Sequence, residues 1–176
     1  MATTISRPEP GEYASFYAGY VDEAKGISDL LVHLARQGDE TRKLFTALTD
    51  AQAEFRYAPG KWSIKDIVLH LADAERVFSY RLLTFARKDS SSLPSFAEDG
   101  WAASAGAGVR GIAGLAAELH AVRSATVALL RGVDEDALTR QGIASGNPVS
   151  VRALAWIIAG HELHHLRILR ERYLRA

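Results

Sequence analysis

The 176-residue chain has no cysteine. That absence removes disulfides, thiolate nucleophiles, CxxC redox chemistry and every cysteine-based zinc site. Any transition metal would have to be held by imidazole or carboxylate. An excess of one charge is missing too: 21 Lys and Arg stand against 21 Asp and Glu. No global electrostatic pull toward nucleic acid or anionic lipid results, so neither nucleic acid nor membrane is expected as a partner. No stretch approaches the run of about 18 apolar residues that suggests a membrane span, and MATTISRPEPGEY contains no apolar core of signal-peptide length. The expected location is cytoplasmic. Arginines do gather late, at Arg167, Arg170, Arg172 and Arg175, where a helix C-terminus favours positive charge.

What is present is an ordinary globular composition, 48% apolar and 24% charged, in a chain long enough to bury its own core. Residues 1–176 are read as a single domain. From about Glu12 to Arg36, Tyr13, Phe16, Tyr17, Tyr20, Val21, Ala24, Ile27, Leu30, Leu31 and Leu34 recur at helical spacing. Gly38 is expected to separate this segment from a shorter helix over Asp39 to Leu48, which ends before Tyr57-Ala58-Pro59-Gly60. Ser63 with Asp66 three residues on forms a capping-box variant, opening a long helix to about Arg87 with Ile67, His70, Leu71, Ala74, Phe78, Leu82 and Phe85 on one side. Lys88 to Gly108 reads as a long connection, of the length a crossover between two parallel helices would need. A third long helix runs from about Val109 to Leu130. Val133 to Val149 is expected to be a short helical turn and a loop. Ser150 can cap a last helix over Val151 to Leu174, in which Leu154, Ile158, His161, His165 and Leu169 share a face. Four amphipathic segments with no credible strand predict an all-α, four-helix bundle.

Three of the six histidines fall within His161-Glu162-Leu163-His164-His165. A lone histidine on an apolar face is more often a packed core residue than a ligand, and His33 and His120 are read that way. Two imidazoles at i and i+4 differ, because they project side by side and can reach one ion at about 2.0–2.1 Å. His161 and His165 meet that requirement, while His164 is a flanking or partner-facing polar group. The same residues match H-E-x-x-H, in which Glu162 would act as general base on a metal-bound water. Only eleven residues follow His165, so a third ligand must lie upstream. In a bundle, His70 on the inward stripe of another helix is the natural supplier. Three imidazoles suit zinc first, with nickel, iron or manganese as alternatives.

Tyr57-Ala58-Pro59-Gly60-Lys61-Trp62-Ser63-Ile64-Lys65, then His70-Leu71-Ala72-Asp73-Ala74-Glu75-Arg76 with Tyr80-Arg81, and finally Gly160-His161-Glu162-Leu163-His164-His165, resemble in order and spacing the DinB-like, or YfiT-like, superfamily of metalloenzyme-type helical bundles. The resemblance covers most of the chain. It implies an up-down-down-up course with the long crossover between the second and third long helices, a divalent metal on His70, His161 and His165, and a homodimer. It further implies thiol S-transferase or hydrolase chemistry on a small molecule, with a low-molecular-weight thiol as one candidate.

On this reading the metal lowers the pKa of a bound water or thiol. Glu162 and Asp73 are the candidate catalytic carboxylates, although a surface carboxylate in a helix is the plainer account of Asp73. Arg76, Tyr80 and Arg81 are candidate contacts to an anionic substrate, with salt bridges as the plainer account. Trp101, with Phe96, either covers the pocket mouth or anchors the crossover to the bundle. The competing reading is a non-catalytic metal-binding or dimeric stress-response module. A metal-free bundle whose histidines merely pack stands third.

Overall fold

The structure, a computed structural model, describes residues 4–174; Arg175 lies outside them. A 3-10 turn at Ser15–Tyr17 leads into α1 (Ala18–Glu23). There follow α2 (Leu30–Thr46), α3 (Asp50–Ala53), α4 (Ile64–Ala86), α5 (Glu98–Ser104), α6 (Ile112–Arg131), α7 (Glu135–Leu138), β1 (Gln141–Ala144), β2 (Asn147–Ser150) and α8 (Val151–Arg172). The long helices α2, α4, α6 and α8 make the four-helix bundle.

Cross-helix bonds give the course directly. Arg76 meets Glu118 and Ser79 meets Thr126, so α4 and α6 run the same way. Asp50 accepts from the Ile112 amide while Arg123 donates to the Leu34 carbonyl, so α2 opposes α6. Thr41 bonds Glu162 and Gln37 bonds the Ala159 carbonyl, so α8 follows α2. The result is up-down-down-up. The parallel α4–α6 pair requires the connection from Arg87 to Gly111, which carries α5 and a 3-10 turn at Ala107–Val109.

Three boundaries differ from expectation. The first segment is two helices, broken between Ala24 and Asp29, where the Asp29 side chain caps α2 by accepting from the Val32 amide. Gly38 breaks nothing, because α2 runs through it. A Cβ at Gly38 would lie 2.9 Å from Arg123 Cγ, so the glycine serves close packing. Residues 141–150 form an antiparallel hairpin instead of a loop. Ser145 and Gly146 turn it with φ of 53° and 75°, the two-residue arrangement whose twist suits a hairpin. Leu93 of the crossover pairs with its edge through Leu93 N to Ile143 O, 2.9 Å, and Ser145 N to Leu93 O, 3.0 Å. Both capped starts are as expected: Ser63 and Asp66 form a capping box, and Ser150 accepts from the Ala153 amide.

Among the described residues α6 is the one helix long and apolar enough to cross a membrane. Here it packs on both α2 and α4 and carries the buried Arg123. The short α1 lies across α8, where a Cβ on Gly160 would sit 1.8 Å from the Tyr20 carbonyl oxygen.

Gly160→Ala should therefore push α1 off α8 and cost about 3 kcal/mol, lowering the melting temperature by about 6–12 °C in a chain of this size. Gly114→Ala, on the open face of α6 with nothing near its added methyl, should instead stabilise by up to about 1 kcal/mol. Thermal melts of the two variants beside wild type check both signs.

Candidate metal centre

Because α4 and α8 run in opposite directions, residue 70 lies level with residues 161–165. His70 Nε2 is 3.2 Å from His161 Nε2, and His161 Nε2 is 3.2 Å from His165 Nε2. All three ligating atoms lie within 4.8 Å of one another. Nitrogens at about 2.0–2.1 Å from a common ion, at the angles of a tetrahedron or octahedron, would be about 2.8–3.4 Å apart. The donor set thus fits one divalent ion, with three protein ligands and room for others.

The imidazoles are also in the right protonation state. Burial pushes His70 down to about 4. Burial and the neighbouring imidazoles of His70 and His164 push His165 down to about 3. His161, walled in completely, is lowered as well, first by burial and then by His165 and His70. At neutral pH all three carry lone pairs. Aromatic rings supply the wall: Trp62 packs tilted on His70 at 4.7 Å between centroids, and Tyr20 and Phe78 meet His161 edge-on at 5.2 and 5.8 Å.

Glu162, beside His161, has both oxygens engaged deep in the bundle. Oε1 accepts from Thr41 and Oε2 from Arg123. Arg123 in turn clasps Glu75 through Nε and Nη2, both at 2.9 Å, and donates to the Leu34 carbonyl and to Gln37 Oε1, both at 3.2 Å. The carboxylate of the H-E-x-x-H pattern is thus occupied by a guanidinium and a hydroxyl from other helices.

The other candidates gather in a separate place. Asp73, Arg76, Tyr80, Arg81 and Trp101, with Phe96, line a cavity of about 380 Å³ beneath the crossover. Asp73 accepts from Arg76 at 3.0 Å, and Arg76 also reaches Glu118 at 2.6 Å. Arg81 is fully buried and donates to Tyr17 Oη, the Pro94 carbonyl and Ser145 Oγ, clasping crossover and hairpin. Trp101 packs on Phe96 at 5.2 Å and is 45% exposed, as an anchor at the cavity's rim. His120 bonds Asp39 at the surface. His33 buries an Nε2 that has no partner, and His164 sits edge-on to Tyr20.

For three participants the sequence did not indicate a place at the triad. Trp62 and Tyr20 are aromatic residues like many in any core. Asp99, on α5, joins Trp62 and His165 around a cavity of about 240 Å³ that borders the triad at His165, and its charge acts on His70. Only the fold brings a crossover residue there.

Comparison with known proteins agrees with this architecture. The model of the DinB superfamily matches residues 33–169. A protein of Geobacillus kaustophilus, provisionally named a metal-dependent hydrolase, is 27% identical over 155 residues, 86% of each chain. The fold matches YfiT from Bacillus subtilis, described as a probable metal-dependent hydrolase with an unusual four-helix bundle topology. The TM-score is 0.66 at 18% identity, covering 94% of this chain and 90% of that one.

Two outcomes are expected. A histidine held below its ordinary 6.5 makes the unfolded chain bind more protons between the two values. Its stabilising contribution is therefore full above 6.5 and is lost as pH falls toward about 4 for His70 and about 3 for His165. Melts of metal-free protein should drop across that window, and His165→Gln should flatten the profile. Arg123→Met would strand two buried carboxylates and should cost about 3–5 kcal/mol, measurable by urea unfolding.

Proposed function

The chain belongs to the DinB superfamily, and from that premise we propose that it is a metal-dependent enzyme acting on a small molecule, of the hydrolase or thiol S-transferase type. One observation carries the reading: three neutral imidazole nitrogens converge, at 3.2 Å between neighbours, beside a cavity. A structural zinc is normally closed by four protein ligands, whereas three leave an open position. The provisional and probable hydrolase descriptions of its relatives support the hydrolytic form.

His70, His161 and His165 would hold the ion. When bound, a divalent ion acts as a Lewis acid that makes a water or thiol available as its anion near neutral pH, with no protein cysteine required. The protein's own groups do the rest. Trp62, Tyr20 and Phe78 flank the imidazoles with apolar surface, keep them unprotonated and limit water to one side. Glu162 is assigned to positioning: its ties to Arg123 and Thr41 hold the turn of α8 that carries His161. Asp73 is assigned to the Arg76–Glu118 surface network, and Arg81 to fastening the crossover. Tyr80 and Trp101 remain as apolar surface for a distal part of the substrate. Zinc is the first choice of ion. A cytoplasmic homodimer completes the proposal, and sedimentation checks the association.

Elemental analysis of purified wild type should find one ion per chain and identify it, with occupancy at least about tenfold lower in His161→Ala. Assays with small thiols plus an electrophilic acceptor, and with hydrolysable esters and amides, should show turnover that His161→Ala abolishes. Wild type devoid of metal after metal-replete expression would overturn the proposal.

A further inference from the structure

Three uncharged imidazoles would leave a divalent ion's charge uncompensated, so the centre itself favours an anionic donor atom and cannot sort ligands by the charge they carry at their far end. That selection falls to whatever faces its open side. We propose that Asp99 is a specificity-determining residue of the three-histidine centre, favouring small ligands that carry an ammonium group close to the atom that reaches the histidines. The proposal rests on the metal-dependent reading above and adds the substrate's charge class to it.

The cavity shared by Asp99, Trp62 and His165 measures about 240 Å³, the room of about eight waters at their liquid volume. That suits a compact molecule. Asp99 is the single carboxylate among the residues lining it. The other acids near the triad are already engaged: Glu162 and Glu75 share Arg123 deep in the bundle, Asp66 pairs with Arg56, and Asp73 with Arg76. Among the described residues Asp99 makes no ion pair and no side-chain hydrogen bond. Glu98, next to it on α5, adds negative charge on the Tyr17 and Tyr20 side.

One cation, Lys61, also borders the cavity. It is exposed, and its long stem lets the ammonium stand in solvent. Asp99, by contrast, stands on a helix that packs against α4 and shares the lining with His165. The walls favour the same class of guest, since ring faces attract cations. Behind the lining, the Arg172 guanidinium lies 5.2 Å over the Tyr57 ring, so that ring is already occupied and Trp62 and Tyr173 are the faces left to a guest.

Cobalt-loaded protein tests this by visible absorption, with no turnover required. The probes are cysteamine, 2-mercaptoethanol and mercaptoacetate, three small thiols whose far ends are cationic, neutral and anionic. Intrinsic thiol acidities differ among them, so the readout is the ratio of dissociation constants between Asp99→Asn and wild type for each thiol. Asp99 is exposed on a helix with no buried residue, so the substitution leaves the core untouched. Cysteamine should bind about three- to fivefold more weakly to the variant and mercaptoacetate more tightly by a similar factor. 2-Mercaptoethanol should be unchanged, and the differences should shrink in high salt. Equal shifts for all three thiols, or none, would overturn charge selection while leaving the metal-dependent reading intact. Failure of wild type to take up cobalt would defeat that reading, and this proposal with it.

Discussion

The bundle is organised around one buried guanidinium. Arg123, on α6, binds Glu75 of α4, Glu162 of α8, and the Leu34 carbonyl and Gln37 side chain of α2. All four long helices therefore meet at a single cation that is only 2% exposed. Two carboxylates against one guanidinium leave a surplus of negative charge. The Thr41 hydroxyl, donating to Glu162, helps to satisfy it. Gln37 closes the circuit by accepting from Arg123 and donating to the Ala159 carbonyl. Such a network tolerates little sliding, because a helix displaced by one residue would leave a charge buried and unpaired.

That rigidity fixes the histidine cluster. Glu162 directly follows His161, so the register that gives Glu162 its partner also sets the azimuth of His161, and with it His165 one turn later. On α4, Glu75 performs the same service for His70, five residues before it. Gly38 belongs to the same device. A side chain there would meet Arg123 Cγ at 2.9 Å and force α6 away from α2. Histidines 91 positions apart in the chain are thus aligned by a charge cluster that contains none of them.

This explains what could be read without coordinates. The histidines were legible because i, i+4 spacing on a helix and placement within an apolar stripe are local signals, as were the Ser63 and Ser150 caps. The roles of Gly38 and Glu162 were not. Gly38 looks like a breaker until the neighbouring arginine is seen, and the partners of Glu162, Thr41 and Arg123, come from helices that the local H-E-x-x-H pattern does not name. The hairpin was hidden because Pro148 interrupts a run too short to show alternation, and its pairing through Leu93 of the crossover is non-local. Resemblance to a family supplied the course of the helices, which periodicity could not.

The parallel α4–α6 pair connects topology to chemistry. Antiparallel neighbours can be joined by a few residues, but parallel ones oblige the chain to travel the length of the bundle. Here Arg87 to Gly111 make that journey, fastened at its start where Arg81 grips Pro94 and Ser145 and where Leu93 pairs with the hairpin. With its beginning held, the crossover lays α5 against α4 and brings Asp99 to the cavity that borders the triad. The four helices alone would leave the cavity beside His165 without a carboxylate. The segment that an ordinary bundle would not need is the one that supplies it.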